Sequence, residues 1–112
     1  MTAWNLPSTA ALLPHGWRSR ILSRIAGANL KLIRMDEGGI PPEIHAEFDE
    51  ALLVVDGRME LEVDGRVIGL EAGDFYVVPA GMSHRVLPGS RGTLFLIDAE
   101  PATSSDGSVL AR

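Results

Sequence analysis

The stretch RMELEVDG, Arg58 to Gly65, carries the clearest structural pattern in the chain. Its apolar side chains, Met59, Leu61 and Val63, alternate with charged ones. Successive side chains of a β-strand point to opposite faces of the sheet. The alternation therefore predicts a strand with one face in the core and the other in water.

Turn signals flank this strand on both sides. Asp64 and Gly65 both tolerate positive φ, which predicts a tight hairpin into the next strand, RVIGL. On the other side, the sequence VDG at Val55 to Gly57 predicts a turn after the apolar run ALLVV. We therefore expect RMELEVDG to be a separate strand between two chain reversals.

The same rhythm extends outward through the rest of the chain, where 12 Gly and 7 Pro residues recur between short apolar runs. Further strands are predicted at SRILSRI and ANLKLIRM, joined at Gly27, and at FYVVP, HRVL and GTLFLI. STAALL near the start suggests one helical turn at most. Short strands at nearly regular spacing predict an all-β sandwich or barrel.

Composition limits which partners the protein can bind and where in the cell it is expected. The chain has 112 residues and a net charge of −5, which argues against nucleic acid and anionic membranes as partners. It contains no cysteine, which excludes thiolate metal sites and disulfides. No apolar run is long enough to span a membrane, and the N-terminus lacks the features of a secretory signal. We therefore expect a cytoplasmic protein.

One domain with two terminal segments is the organisation that length and pattern favour. Residues 20–100 are predicted to form the barrel. Residues 1–19 precede it, and we expect their apolar part, from Trp4 to Leu13, to reach across the interface of a homodimer. Residues 101–112 are small and polar and are predicted to be a flexible tail.

The stretch PPEIHAEFDE, residues 41–50, contains the first half of a candidate metal site. Glu43 and His45 are two residues apart, so on a strand they would share a face, with Ile44 packed on the other side. Glu50 begins the next strand, and His84 follows the turn PAGMS. Imidazole and carboxylate groups suit divalent transition metals, and two histidines with one carboxylate can form a site with open positions.

The sequence GDFYVVPAGMSHRVLP, residues 73–88, resembles the second conserved motif of the cupins, G-x5-P-x-G-x2-H-x3-N. The matching residues are Gly73, Pro79, Gly81 and His84, whereas Pro88 stands in place of the final Asn.

The sequence HAEFDEALLVVDG, residues 45–57, resembles the end of the first cupin motif, G-x5-H-x-H-x(3,4)-E-x6-G, through His45, Glu50 and Gly57. Glu43 then occupies the position of the first His. An alternative register puts His45 at the first His and Glu47 at the second, but it leaves too few residues before Glu50. The Glu43 register is therefore preferred.

The resemblance is to small single-domain, RmlC-like cupins of the mannose-6-phosphate isomerase-like group. It implies an all-β cupin barrel, that is, a double-stranded β-helix or jelly roll of two packed antiparallel sheets. It also implies a divalent ion (Zn, Fe, Mn or Ni) held by His45, Glu50 and His84, with Glu43 as a fourth ligand or a catalytic base.

The function that this resemblance implies is that of a metal-binding cupin acting on a small polar molecule, such as a sugar, a carboxylate or another oxygenated metabolite. The chemistry could be that of a metal-dependent isomerase or oxygenase. The alternative is a non-catalytic protein that binds or senses a small ligand in the same cavity, with or without metal. A third interpretation is a degenerate barrel kept for association. Sequence alone leaves all three open, because a fold does not determine its chemistry.

Overall fold

A computed structural model describes residues 3–101 in full and the backbone of residues 108–110. Within these residues the chain forms one short helix and nine strands: α1 (Leu6–Ala11), β1 (Arg18–Ile25), β2 (Ala28–Met35), β3 (Ile40–Glu43), β4 (Glu50–Val63), β5 (Arg66–Glu71), β6 (Phe75–Val78), β7 (His84–Val86), β8 (Arg91–Asp98) and β9 (Ser108–Leu110). The predicted all-β fold is confirmed. No helix of the described part is long and apolar enough to cross a membrane.

Strand β4 organises the barrel, because it belongs to both of its layers. Its first half pairs with β6 on one side and β8 on the other, and its second half pairs with β5 and β7. From β4 the order continues through β8, β2, β1 and β9 in one direction and through β7 and β3 in the other. All of these pairings are antiparallel, so the sheet curls on itself as the jelly-roll prediction requires.

The turn predicted at Val55 to Gly57 is wrong, because β4 runs through it without a reversal. The register against β8 shifts between Val54 and Asp56, which is a β-bulge that bends the strand while keeping it paired. Gly57 has φ 82°, and a Cβ there would lie 2.0 Å from the carbonyl oxygen of Arg91. This glycine therefore permits close approach of β8 within the sheet.

The two predicted hairpins are confirmed. Asp64 (φ 49°) and Gly65 (φ 79°) connect β4 to β5, and both central residues have the positive φ of a type I′ turn. Ala26 (φ 52°) and Gly27 (φ 81°) connect β1 to β2 in the same way. The alternation in RMELEVDG also has the predicted outcome, since Met59, Leu61 and Val63 are buried.

The main core lies between the two layers and is built from apolar side chains of β2, β4, β5, β6 and β8, together with Trp17. Each large side chain buried there stabilises the fold by about 1.5–3 kcal/mol relative to exposure. The indole Nε1 of Trp17 donates a hydrogen bond to the carbonyl oxygen of Asp36 at 2.6 Å. Trp17 therefore packs as an apolar group while its one polar atom is satisfied.

The N-terminal segment forms a helix that is longer than the single turn expected. Asn5 caps α1 by accepting a hydrogen bond from the backbone N–H of Ser8 at 3.0 Å. Ala10 and Leu13 pack on Leu32 of β2, outside the main core. The predicted flexibility of the tail stays a prediction, because most of residues 101–112 lie outside the described residues. Strand β9, within that range, pairs with β1.

Candidate metal centre

The structure brings the four predicted site residues together where β3, β4 and β7 meet. Glu43 ends β3 and pairs directly with His84, which begins β7. Glu50 begins β4, and His45 lies in the connection between β3 and β4. The site is therefore assembled from strand ends that the barrel topology places side by side.

The expectation that Glu43 and His45 share one strand face is wrong, because β3 ends at Glu43. The chain turns away from the strand after Glu43, and Ile44 is 60% exposed, which overturns its predicted packing in the other layer. His45 reaches the site because its carbonyl oxygen accepts a hydrogen bond from the N–H of Gly81 at 2.8 Å. Glu47, the carboxylate of the alternative register, is exposed and outside the cluster.

Glu50 lies between the two histidines. Its Oε1 is 3.2 Å from Nε2 of His84, and its Oε2 is 3.5 Å from Nε2 of His45. The side chains of Glu50 and His84 are each 4% exposed, and that of His45 is 11% exposed. One ligand atom each of Glu43, His45 and His84 also lies within 4.8 Å of the other two. Two overlapping sets of potential ligands therefore share the two histidines, one completed by Glu50 and the other by Glu43.

The ring of His84 is oriented by its backbone contact. Nδ1 of His84 lies 3.1 Å from the carbonyl oxygen of Met82. A carbonyl oxygen only accepts, so Nδ1 carries the hydrogen and Nε2 presents its lone pair to Glu50 in the neutral ring. A hydrogen bond of this kind on the far nitrogen is typical of histidines that bind metal ions.

Three buried polar atoms of the site have no hydrogen-bond partner among the described residues: His45 Nε2, Glu50 Oε2 and His84 Nε2. While both histidines are neutral, leaving such an atom unsatisfied costs about 1–3 kcal/mol, and lone pairs facing one another add repulsion. Two ligands about 2.0–2.1 Å from a tetrahedral ion are about 3.3 Å apart, close to the measured 3.2 and 3.5 Å. The donor set therefore fits a divalent cation.

Electrostatics within the cluster favour the charged forms of two groups. Burial raises the pKa of the Glu50 carboxyl, but the contacts with His45 and His84 together outweigh burial and leave that pKa below its ordinary value. Burial lowers the pKa of His84, but Glu50, the Met82 carbonyl and the charge of Glu43 leave it above its ordinary value. Without a metal ion, a proton held by His84 partly takes the place of the cation.

Two contacts that the sequence did not predict hold the loop that carries His45. The ring of Phe48 stacks on the imidazole of His45, with centroids 4.8 Å apart and planes 21° apart. Oδ1 of Asp49 accepts a hydrogen bond from the N–H of Ala80 at 2.8 Å. In the sequence, these two contacts are marked only by an aromatic residue within an acidic loop. Such a pattern has no characteristic spacing, so it did not predict the contacts.

Two cavities adjoin the cluster, and Glu43 lines both. The inner cavity has a volume of about 20 Å³ and reaches from Glu43, Glu50 and His84 into the apolar core. The second cavity, which we call the mouth, has a volume of about 350 Å³. It is lined by Pro42, Glu43, Ile44, His45 and Glu100.

Comparison with curated proteins gives one match, which is short. It is to quercetin 2,3-dioxygenase of Bacillus subtilis, with 41% identity over 44 residues. The match covers 39% of this chain and only 13% of the dioxygenase. This chain therefore matches a small part of that enzyme and does not cover the rest of it.

Solved structures with the same fold cover most of the chain. A cupin-2 domain containing protein from Shewanella frigidimarina is 26% identical, with a TM-score of 0.77 over 88% of this chain and 94% of the other. A provisionally named mannose-6-phosphate isomerase from Ralstonia eutropha is 20% identical, with a TM-score of 0.73 over 90% and 100%. The second likeness concerns the fold alone.

A family comparison agrees with the barrel fold. Residues 31–99 match the Cupin_2 family of cupin domains. The match includes both stretches that contain Glu43, His45, Glu50 and His84. Because it spans more than half of the chain, this protein belongs to the Cupin_2 family.

Proposed function

We propose that this cupin binds one divalent metal ion through His45, Glu50 and His84 and acts on a small polar molecule that enters from the mouth. The observation that carries the proposal is the convergence of three buried, unpartnered polar atoms, one on each of these residues. The short likeness to quercetin 2,3-dioxygenase is consistent with it. Zn, Fe, Mn and Ni all accept such a set of nitrogen and oxygen ligands.

Glu43 is proposed as a fourth ligand or as the base that takes a proton from the bound molecule. It lies within 4.8 Å of ligand atoms on His45 and His84 and also lines the mouth. A carboxylate in this position can accept a proton from a carbon next to a carbonyl group, as isomerases require. When bound, a divalent ion would supply Lewis acidity toward a carbonyl or hydroxyl oxygen.

The test is a metal analysis of protein purified without an affinity tag or chelator. We expect about one ion per chain, and after stripping we expect reloading with Zn²⁺, Mn²⁺, Fe²⁺ or Ni²⁺ to the same stoichiometry. His84→Ala should retain little metal while keeping the β-sheet circular dichroism spectrum. His15→Ala, at an exposed histidine outside the cluster, is the control. Equal metal content in both variants would refute the proposal.

A second candidate function is ligand binding or sensing without catalysis. The size of the mouth supports it, because about 350 Å³ is enough to hold a small ligand whether or not a metal ion is bound. Mass spectrometry of the intact protein under native conditions distinguishes the two. A copurifying ligand on metal-free protein supports sensing, and turnover of a bound molecule by metal-loaded protein supports catalysis.

We also propose a homodimer in which the segment before β1 contacts the partner. Trp4 is 44% exposed and Leu12 is 84% exposed, and both line a groove of about 510 Å³ beside α1. Light scattering at micromolar concentration should give twice the chain mass, and Leu12→Asp should shift it toward the monomer. A wild-type monomer would end this proposal. The predicted cytoplasmic location, and the absence of nucleic acid and membrane partners, stay predictions.

A further inference from the structure

Of the two cavities described beside the candidate metal centre, the mouth is the one with space for a small molecule. The inner cavity, at about 20 Å³, is only slightly larger than the roughly 10–15 Å³ that one water requires. The mouth, at about 350 Å³, falls within the range of about 300–1,000 Å³ that small-molecule sites occupy. Glu43 and His45 line the mouth and also belong to the metal cluster, so the mouth opens on the site.

The carboxylate of Glu100 in the mouth is held by a buried ion cluster. Nζ of Lys31 lies 3.0 Å from Oε1 of Glu100 and 2.8 Å from Oδ2 of Asp98. The Lys31 side chain is 4% exposed, so its ammonium group is not available to a ligand in the mouth. Because one ammonium group faces two carboxylates, the cluster of Lys31, Asp98 and Glu100 carries one net negative charge.

Among the described residues, the lining of the mouth includes no Lys or Arg. Arg85 borders the inner cavity, but its Nε donates to Oε1 of Glu62 at 2.8 Å. The polar groups that the mouth offers are therefore mainly carboxylates, which only accept hydrogen bonds when ionised. At the floor of the site, the buried unpartnered atoms of Glu50 and His84 independently indicate a ligand-binding position.

We propose that the mouth selects an uncharged molecule bearing several hydroxyl groups over its phosphorylated or carboxylated counterpart. The inference rests on the proposed function, because a divalent ion would be balanced by Glu43 and Glu50 and would leave the mouth with the negative charge of the Lys31 cluster. Hydroxyl hydrogens can donate to the carboxylates of Glu43 and Glu100. Apart from the metal ion itself, a phosphate or carboxylate meets the carboxylates of the lining there and no Lys or Arg side chain.

The test uses protein loaded with Co²⁺, with the metal content measured first. Two matched pairs serve as probes: mannose with mannose 6-phosphate, and catechol with 3,4-dihydroxybenzoate. Dissociation constants come from the visible absorption of Co²⁺ and from calorimetry at fixed ionic strength. We expect each uncharged probe to bind at least about tenfold more tightly than its anionic counterpart, as a like charge at this range would produce.

Glu100→Gln tests whether the charge of the mouth is the cause. It should improve binding of the anionic probes about threefold to tenfold and should not improve binding of the uncharged ones, whose hydroxyl groups lose a charged acceptor. Glu47→Gln is the matched control, since it removes the same charge from an exposed loop position outside the lining. Equal effects of the two variants would show that only net protein charge matters, and would overturn the inference.

The outcomes separate this inference from the proposed function. Protein that retains no Co²⁺ refutes the proposed function and the inference with it. Metal-loaded protein that binds the anionic member of each pair as tightly as the uncharged one refutes the inference alone. So does metal-loaded protein that binds neither member at millimolar concentration.

Discussion

Two groups of buried polar side chains lie in this barrel, and they differ in whether their atoms are satisfied. In the Lys31 cluster, Nζ of Lys31 contacts carboxylate oxygens of Asp98 and Glu100 at 2.8 and 3.0 Å. Nδ2 of Asn29 donates to Oδ1 of Asp98 at 2.9 Å and to the Glu100 carbonyl at 2.6 Å. Nε of Arg24 donates a hydrogen bond to Oδ1 of Asn29, so the amide oxygen is also satisfied.

The cluster of His45, Glu50 and His84 is buried to a similar degree but leaves an unpartnered atom on each residue. Natural structures pair most buried polar atoms, so an unpaired group calls for a specific reason. The comparison teaches that burial and charge alone do not identify a functional site. A closed network such as the Lys31 cluster has a structural role, whereas an open set of lone pairs around one point fits a ligand.

The largest expected effect is on the closed network. Lys31→Met should lower the free energy of unfolding by about 3–5 kcal/mol, because it leaves Asp98 as an uncompensated buried charge. Urea denaturation of the metal-free wild type and variant measures this loss of free energy of unfolding. Glu50→Gln is the contrasting change in the open cluster, and it should cost less than about 1 kcal/mol, since the amide can donate to a histidine nitrogen. Equal losses would remove the distinction between the two clusters.

The next effect is the stabilisation of the open cluster by a metal ion. At a free Zn²⁺ concentration of 100 times the dissociation constant, the folded state should gain about 2.7 kcal/mol. In a domain of this size, each kcal/mol of added stability raises Tm by roughly 4–8 °C. Differential scanning calorimetry should show the gain in wild type and Lys31→Met alike, and should show none in His84→Ala. A metal-dependent shift that persists in His84→Ala would place the ion elsewhere.

The fold was predictable because its signals are local. The alternation at Met59, Leu61 and Val63 and the Asp64-Gly65 turn act over a few residues, and the structure confirms both. The turn predicted at Val55 to Gly57 was wrong because a bulge uses the same residue types as a reversal. What decides between them is the partner strand β8, which lies far along the sequence.

The site was predictable only as far as the motif spacing reaches. The motifs indicated Glu43, His45, Glu50 and His84, and the barrel places them together. The stacking of Phe48 and the Lys31 cluster were not foreseen. Lys31 and Asp98 lie 67 positions apart and meet only through the register of β2 on β8. A lysine within an apolar strand indicates a buried partner, but sequence alone does not say which one.

Metal affinity of the open cluster should depend on pH through a proton on His84. The pKa of His84 lies above its ordinary value of about 6.5, so below that raised pKa a proton occupies Nε2 and competes with the ion. The pKa of Glu50 lies below its ordinary value, so its carboxylate stays ionised over the same range. Each pH unit below the His84 pKa should weaken Zn²⁺ binding about tenfold per proton displaced.

In the metal-free protein the same two pKa shifts set the pH range of the cluster's own stability. The contribution of protonated His84 is complete below pH 6.5 and is lost as the pH rises through its higher folded pKa. The contribution of Glu50 is present above pH 4.5 and is lost as the pH falls through its lower folded pKa. Zn²⁺ titrations and urea denaturation across this range measure both effects. His15→Gln should reproduce the wild-type profiles, and pH-independent Zn²⁺ affinity would contradict the assignment.

The smallest expected effect concerns Glu43, which lies between the open cluster and the mouth. If Glu43 is a ligand, Glu43→Gln should weaken binding of all divalent ions about threefold to tenfold, because an amide oxygen carries no charge. Glu43→His should tighten Ni²⁺, Cu²⁺ and Zn²⁺ by a similar factor relative to Mn²⁺, because imidazole favours those ions. Competition with a chromophoric chelator measures both, with Glu47→Gln as the control for charge and for the alternative register. If neither Glu43 variant alters affinity or preference, Glu43 acts only on the bound molecule, and the ion depends on His45, Glu50 and His84 alone.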